Sequence, residues 1–181
     1  ANRAYLQAQK FGCTISVPFR AKRLHYHGNF FELELSNGNS IRASSVIAAT
    51  GATYRNLNVP GIEEYQGKGI YYGATPTEAR NCKAEEVVVI GGGNSAGQAA
   101  LYLAKCAAKV HLVIRGEGLE KSMSSYLINR IKNNDKIFLH THEKLVGIEG
   151  DKVIEQVEFR NIKTNENHKM NLSHVFLFIG A

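Results

Sequence analysis

The sequence contains no tryptophan, only three prolines and only three cysteines in 181 residues. Cys13, Cys82 and Cys106 lie far apart and form neither a CxxC pair nor a metal-binding spacing, which excludes a disulfide-stapled scaffold. We therefore expect each cysteine to be a small buried hydrophobic residue in a protein of a reducing compartment, the cytoplasm. No apolar run reaches the roughly 18 residues that a membrane span requires, so we expect no membrane partner.

Histidines and basic residues are present, but they are scattered. His25 and His27 alternate along a predicted strand, as do His140 and His142, which would place each pair on one face. No third ligand is near either pair, so we predict no metal site. The net charge is +6, yet the bases form no dense run and have no aromatic residues interleaved with them. This pattern favours a solvated basic surface over nucleic-acid binding.

The apolar share of 44% and the charged share of 21% indicate a globular chain with one large domain or two small ones. In the first part, good helix formers predict a helix over residues 4–10. Strands are expected at 30–35 and 40–43, joined by a tight turn at Asn37-Gly38, because this pair favours hairpins. A further short apolar strand is expected at 45–49.

Residues 54–69 are rich in glycine and asparagine and form the best candidate for a domain boundary. Beyond them, four β-branched residues at 87–90 predict a strand buried on both faces. The glycines and asparagine of 91–94 then lead into a predicted helix at 95–108 and a second apolar strand at 110–114. This order is a βαβ unit.

The rest of the chain continues the same pattern. A helix is predicted at 122–133, with apolar residues at helical spacing, and a strand at 137–140. Residues 145–170 have the alternation of antiparallel hairpins, and 175–179 form a buried strand. Together these elements predict an α/β fold with a parallel sheet and an antiparallel portion.

The turn after the first buried strand matches the dinucleotide-binding pattern GxGxxA. Gly91 would make the tight turn, Gly93 would let the backbone approach a pyrophosphate, and Ala96 would keep the helix close to the sheet. The helix N-terminus would present free N–H groups to the phosphates. The alternative is a glycine turn without a ligand.

The end of the next strand bears on which dinucleotide is bound. An NAD-specific site usually has an acidic residue there, whereas this chain has Arg115 followed by Gly116. A guanidinium group suits a 2′-phosphate, and Lys121 would add positive charge. Arg115 therefore favours NADPH over NADH, with an ordinary surface arginine as the alternative.

Three ordered segments resemble one family. Residues 87–115, VVVIGGGNSAGQAALYLAKCAAKVHLVIR, are similar to the NADPH-binding domain of thioredoxin reductases and related pyridine nucleotide-disulfide oxidoreductases. Residues 47–52, IAATGA, followed by Val59-Pro60-Gly61, resemble the segment where the FAD domain of that family passes into the NADPH domain. Residues 178–181, FIGA, resemble the matching motif at the far end of the NADPH domain.

The resemblance implies a FAD- and NAD(P)H-dependent oxidoreductase in which NADPH passes a hydride to FAD. It implies a Rossmann-like NAD(P)-binding domain with a parallel sheet, helices and a three-stranded antiparallel meander at residues 66–181. Residues 1–65 would be a mainly β remnant of the FAD-binding domain. Cofactor contacts are implied at Gly91, Gly93, Asn94, Ser95, Ala96, Arg115 and Gly180, and on the FAD side at Thr50 and Gly51.

Two departures from the family pattern stand out. Gly116 occupies the place of a usual second arginine, and the redox-active CxxC is replaced by a segment that contains Gly73 and Pro76.

The chain also has the pattern of a central fragment, because the FAD-binding motifs expected at both ends are missing. We expect this fragment alone to be inactive and assign it no acid, base or nucleophile. The implied partners are a nicotinamide dinucleotide, the FAD domain of the same full-length chain and, in the full-length protein, a second copy in a homodimer. A NAD(P)H-sensing module without catalysis is the alternative.

Overall fold

The computed structural model describes residues 2–51 and 53–180, which form two compact units, Ala1–Gly51 and Ala52–Ala181. The division therefore falls earlier than the predicted boundary between residues 65 and 66. The reason is that Val59, Ile62 and Tyr65 are buried in the core of the second unit. The assignment of the two parts to FAD and NAD(P)H stays a prediction. Ala52 and Ala181, the last residues of two resembling segments, lie outside the described residues.

The first unit contains one helix and a three-stranded antiparallel sheet in the order β1-β2-β3. The bounds are α1 Asn2–Lys10, β1 Ala21–Tyr26, β2 Phe31–Leu35 and β3 Ser40–Ala43. The predicted hairpin is confirmed: Leu35 N donates to Asn39 O at 2.8 Å, and Gly38 has the positive φ of 87° that favours glycine.

Two expectations for the first unit were wrong. Residues 45–49 form no strand, and Ile47 is 92% exposed. A strand needs a neighbouring strand to bond its backbone, and no described strand pairs with this segment. Cys13 is exposed rather than buried, because no residue before Val59 in the described ranges belongs to a buried core.

The second unit contains a five-stranded parallel sheet in the order β4-β11-β5-β6-β7 and an antiparallel meander in the order β10-β9-β8. A 3₁₀ helix, Ile62–Tyr65, precedes the sheet. The other bounds are β4 Ile70–Tyr71, α2 Pro76–Asn81, β5 Glu86–Ile90, α3 Asn94–Leu103, β6 Lys109–Val113, α4 Ser125–Lys132, β7 Ile137–His140, β8 Glu143–Glu149, β9 Gln156–Asn161, β10 Asn167–Met170 and β11 Val175–Leu177. The predicted α/β fold with a parallel sheet and a meander is confirmed. Within residues 2–51 and 53–180, no helix has both the length and the apolarity to cross a membrane.

The core of the second unit follows from the pleat of β5, where successive side chains point to opposite faces. Val87 and Val89 are buried in one cluster with apolar residues of α3 and α4. Val88 and Ile90 are buried in the other cluster with apolar residues of the meander. A strand covered on both faces accounts for the run of β-branched residues without polar alternation.

Several predicted elements end earlier or begin later than expected. α3 ends at Leu103 instead of 108, because the backbone after it bonds to the segment before β5. Ala84 N donates to Cys106 O at 2.9 Å, and Ala108 N donates to Glu85 O at 2.8 Å. α4 begins three residues later than predicted, and β11 ends two residues earlier.

Candidate functional site

The predicted residues of the second unit come together at one edge of the parallel sheet. The glycine turn follows β5, Arg115 follows β6 and Gly180 follows β11. β5 lies between β6 and β11 in the sheet, so the carboxyl ends of three neighbouring parallel strands meet there. Ligands of open α/β sheets bind outside this edge.

Gly91 occupies a position that only glycine fits. Its φ is 145°, and a Cβ added to it would overlap the carbonyl oxygen of Phe178 and lie 3.2 Å from the Cβ of Ala96. Gly91 N donates to Val113 O at 3.0 Å, and Phe178 N donates to Ile90 O at 2.8 Å. The turn is therefore packed between its two neighbouring strands and the first turn of α3.

Gly93 has room for a side chain instead. It is the N-cap residue of α3, and the nearest atom to an added Cβ is the carbonyl oxygen of Ser122, at 3.9 Å. It also provides no side chain to cap the helix. The first-turn N–H groups of a helix have no partner within the helix, so the turn offers donors beside free space, which fits a phosphate group.

Asn94 has a structural contact that the sequence analysis did not anticipate. Its Oδ1 accepts from Ser124 N at 2.8 Å, and Ser122 Oγ donates to Gly92 O at 2.8 Å. These two bonds fix the segment before α4 onto the glycine turn. Of the Asn94 side chain, only the amide nitrogen remains for a ligand.

Arg115 is exposed directly beyond β6. The backbone around it is fixed, since Ile114 N donates to His140 O at 2.9 Å and His142 N donates to Gly116 O at 3.0 Å. Among the described residues no carboxylate forms an ion pair with Arg115. Its guanidinium is therefore available to an anion at the sheet edge. Lys121 is exposed as well.

Gly180 also lies at this sheet edge, whereas Thr50 and Gly51 belong to the first unit. Gly180 has a φ of 104°, and its carbonyl oxygen accepts from Arg55 N at 3.1 Å, which ties the chain after β11 to the start of the second unit. Thr50 and Gly51 belong to the first unit and are exposed.

This sheet edge, with its glycine turn between a parallel strand and a helix, defines a Rossmann-like α/β fold. The chain belongs to the pyridine nucleotide-disulphide oxidoreductase family, whose profile matches residues 8–181. It is 32% identical over 160 residues to a thioredoxin reductase of Helicobacter pylori, which covers 88% of this chain and 50% of that protein.

Further relatives agree with this membership. A protein of Bacillus subtilis named NADH dehydrogenase is 33% identical, covering 89% of this chain and 31% of that protein. The solved thioredoxin reductase of Giardia duodenalis superposes with a TM-score of 0.81 at 26% identity, covering 99% of this chain and 57% of that one. The chain thus spans about half the length, or less, of these relatives. The resemblance to thioredoxin reductases is confirmed.

Proposed function

We propose that the second unit binds a nicotinamide dinucleotide at the glycine turn and orients it for hydride transfer to FAD in a longer flavoprotein oxidoreductase. The observation that carries this proposal is the first turn of α3, which has no side-chain cap and has room beside Gly93, where an added Cβ would lie 3.9 Å from its nearest neighbour. In the bound state the backbone at Gly93, Ser95 and Ala96 would hold the pyrophosphate. Gly180, beyond the neighbouring strand, would border the same cofactor.

The preference for NADPH over NADH belongs to this proposal and rests on Arg115. Relatives of nearly equal identity carry the names thioredoxin reductase and NADH dehydrogenase, so their names do not decide between the two cofactors. An exposed guanidinium without a carboxylate partner at the end of β6 suits a 2′-phosphate. No acidic residue follows β6 directly, where a ribose hydroxyl would be bound in an NAD-specific site.

The first unit would belong to the FAD side of the full-length protein, with backbone contacts at Thr50 and Gly51. Large apolar side chains are exposed there, including Phe11 at 75%, Val17 at 74% and Ile47 at 92%. Exposed apolar surface of this kind favours burial against further protein, supplied by the rest of the FAD domain. The full-length protein should then show flavin absorbance, and a colourless protein would favour the alternative of a NAD(P)H sensor.

Hydride transfer makes few chemical demands on the residues of this chain. The bound nicotinamide supplies the hydride and the flavin accepts it, while the protein binds and orients both. We therefore assign no acid, base or nucleophile here and expect the isolated chain to be inactive.

Its three cysteines are free, which fits the reducing environment of the cytoplasm.

Calorimetric titration of the 181-residue chain with NADPH and NADH tests the proposal. We expect weak NADPH binding, which Arg115→Ala lowers about tenfold or more, because a charge-assisted phosphate contact contributes about 1.5–3 kcal/mol. NADH binding should change little. Gly93→Val should block both cofactors, since its side chain occupies the space beside the first turn.

Lys163→Ala, which removes an exposed cation from the meander, is the matched control and should leave both affinities unchanged. Absence of binding at millimolar NADPH would refute the site. Equal losses for NADPH and NADH in Arg115→Ala would refute the role of Arg115 in choosing the cofactor.

A further inference from the structure

Two cysteines that are distant in sequence pack in the same apolar cluster of the second unit. Cys82 follows α2 and Cys106 follows α3, and both pack in the same apolar cluster. The two segments are tied together by Ala84 N, which donates to Cys106 O at 2.9 Å, and by Ala108 N, which donates to Glu85 O at 2.8 Å. The Cys106 Sγ donates to Leu103 O at 3.3 Å. The fold thus places both thiols in one apolar cluster without a CxxC motif.

The two thiols differ in their access to solvent. Cys82 is fully buried, and its Sγ donates to Ala79 O at 3.6 Å. Burial, with a smaller contribution from the neighbouring Cys106, raises the pKa of the Cys82 thiol to about 11. Cys106 is half-buried and forms part of the wall of a groove of about 420 Å³. A reagent in this groove therefore meets Cys106, whereas Cys82 is closed to solvent.

Positive charge surrounds the groove. Arg80, Lys83 and Lys105 line it and are exposed. None of them forms an ion pair with a carboxylate of the residues that the structure describes. Lys105 Nζ lies 5.8 Å from the centre of the Tyr102 ring. Three unpaired cations at the entrance to a thiol favour a negatively charged reagent.

We propose that Cys82 and Cys106 are a dithiol site, which a low-molecular-weight anionic disulfide entering the basic groove oxidises to an internal disulfide. The Cys106 thiolate attacks one sulfur of the reagent, the reagent's S–S bond breaks and one thiolate leaves. The Cys82 thiolate then attacks the Cys106 sulfur and releases the second thiolate. Two protein thiols are oxidised, the reagent is reduced to two thiols, and the protons of Cys82 and Cys106 end on these products.

This site is separate from the glycine turn. Cys82 precedes the amino end of β5 and Cys106 precedes the amino end of β6, whereas the glycine turn follows the carboxyl end of β5. Five residues of strand at about 3.3 Å each place these two edges about 16 Å apart. The dithiol site therefore does not depend on the proposed cofactor binding, and either proposal can fail alone.

Oxidation of the 181-residue chain by oxidised glutathione tests the pair. Cys13→Ser removes the exposed third thiol, and the reaction is quenched with acid before protease digestion and mass spectrometry. We expect the peptides of Cys82 and Cys106 to be joined, with a mass two hydrogen atoms below their sum. A stable glutathione adduct on Cys106 with Cys82 still a thiol would overturn the proposal. So would unreacted thiols at both positions under conditions that modify Cys13 completely in the unaltered chain.

Serine variants test the order of the two steps. Cys82→Ser should trap one glutathione on Cys106, and Cys106→Ser should leave Cys82 unmodified, because Cys82 has no access of its own. Circular dichroism and urea unfolding establish that each variant is folded, and the joined peptide of the chain with both cysteines is the independent readout. Loss of the Cys82 thiol at an undiminished rate in Cys106→Ser would contradict the assigned order.

Charge variants test the groove. Lys83→Gln should slow oxidation by oxidised glutathione severalfold and leave the reaction with the uncharged 2-hydroxyethyl disulfide unchanged. Lys163→Gln, on the meander, is the matched control and should alter neither rate. Equal rates for Lys83→Gln and the control with oxidised glutathione would refute the part of the proposal that assigns the groove to an anionic reagent.

Discussion

Two glycines of one turn meet different physical demands. Gly91 has a φ of 145° and no room for a Cβ beside the Phe178 carbonyl, whereas Gly93 has a φ of −90° and its nearest neighbour to a Cβ is 3.9 Å away. The first is required by the fold, because L residues rarely adopt that conformation. The second is free of any such constraint from the protein itself, and its small size is what the proposed pyrophosphate contact would require.

A pair of alanine substitutions separates these two roles. Gly91→Ala should lower the free energy of unfolding by about 2–4 kcal/mol, since backbone strain and overpacking both contribute. Gly93→Ala should lower it by less than about 1 kcal/mol, the range expected for an N-cap change. Urea unfolding followed by circular dichroism measures both variants. Equal losses of unfolding free energy in the two variants would mean that the fold does not constrain Gly91 more tightly than Gly93.

Individual residues also mark the limit of what the sequence predicts. The glycine spacing predicted the turn at Gly91 because its conformational demand is local. The bond between Asn94 Oδ1 and Ser124 N and the packing of Cys82 and Cys106 in one cluster join positions 24 or more residues apart. Neither can be read from local spacing, because each depends on how helices pack on the sheet.

At the scale of elements, strands formed by apolar runs between turns were the most predictable. β5 and β7 match their predicted positions closely because a β-branched or apolar run between turns has few other structures. α2 was missed, although Thr75, Pro76 and Glu78 form a capping box with proline in the first turn. Residues 45–49 were wrongly predicted as a strand, because apolar composition alone does not supply a pairing partner.

A chain of titratable side chains crosses the parallel sheet from β5 to β7. Glu86 Oε2 lies 3.1 Å from His111 Nε2, and His111 Nδ1 lies 3.0 Å from His140 Nε2. Burial first, and then the neighbouring His111 and His168, lowers the pKa of His140 below its ordinary value of 6.5. Glu143 Oε2 is 4.0 Å from His140 Nδ1, too far for a strong bond.

The lowered pKa of His140 predicts how stability depends on pH. The unfolded chain binds a proton at this residue more tightly than the folded chain does, so the free energy of unfolding should fall as pH drops below about 6.5. His140→Gln should flatten this part of the pH profile, measured as the urea midpoint between about pH 8 and about pH 5. His25→Gln, in an exposed position of the first unit, is the control. A profile that stays equally steep in His140→Gln would contradict this assignment.

At the scale of the whole molecule, the two units differ in how much core they contain. The buried residues of both apolar clusters lie within residues 59–177, and in the described ranges no residue before Val59 is buried. Local opening is easiest where few apolar contacts are buried. The second unit should therefore persist when the first is cleaved.

Limited trypsin digestion measures this difference. We expect early cleavage in the first unit, at residues such as Lys10, Arg20 and Arg42, and a resistant fragment that contains the second unit. The order of appearance of the fragments by mass spectrometry gives the result. Early cleavage within the parallel sheet or the meander, at the same rate as at Arg20, would contradict the unequal distribution of the core.

The division into units was only partly predictable from the sequence. The glycine-rich segment at 54–69 indicated a boundary, but apolar residues within it, Val59 and Ile62 among them, pack in the second core. Linker composition locates a change in structure, whereas burial decides to which side each residue belongs.

The most direct test of dinucleotide binding at the sheet edge is nuclear magnetic resonance of the ¹⁵N-labelled chain during titration with NADPH. We expect the largest amide shifts at residues 91–96, at Arg115 and at Gly180, where the carboxyl ends of three parallel strands meet. The groove beside Arg80, Lys83 and Lys105 contains three cations of its own and serves as the internal comparison. Shifts confined to that groove, or no shifts at the glycine turn at saturating NADPH, would contradict dinucleotide binding at the sheet edge.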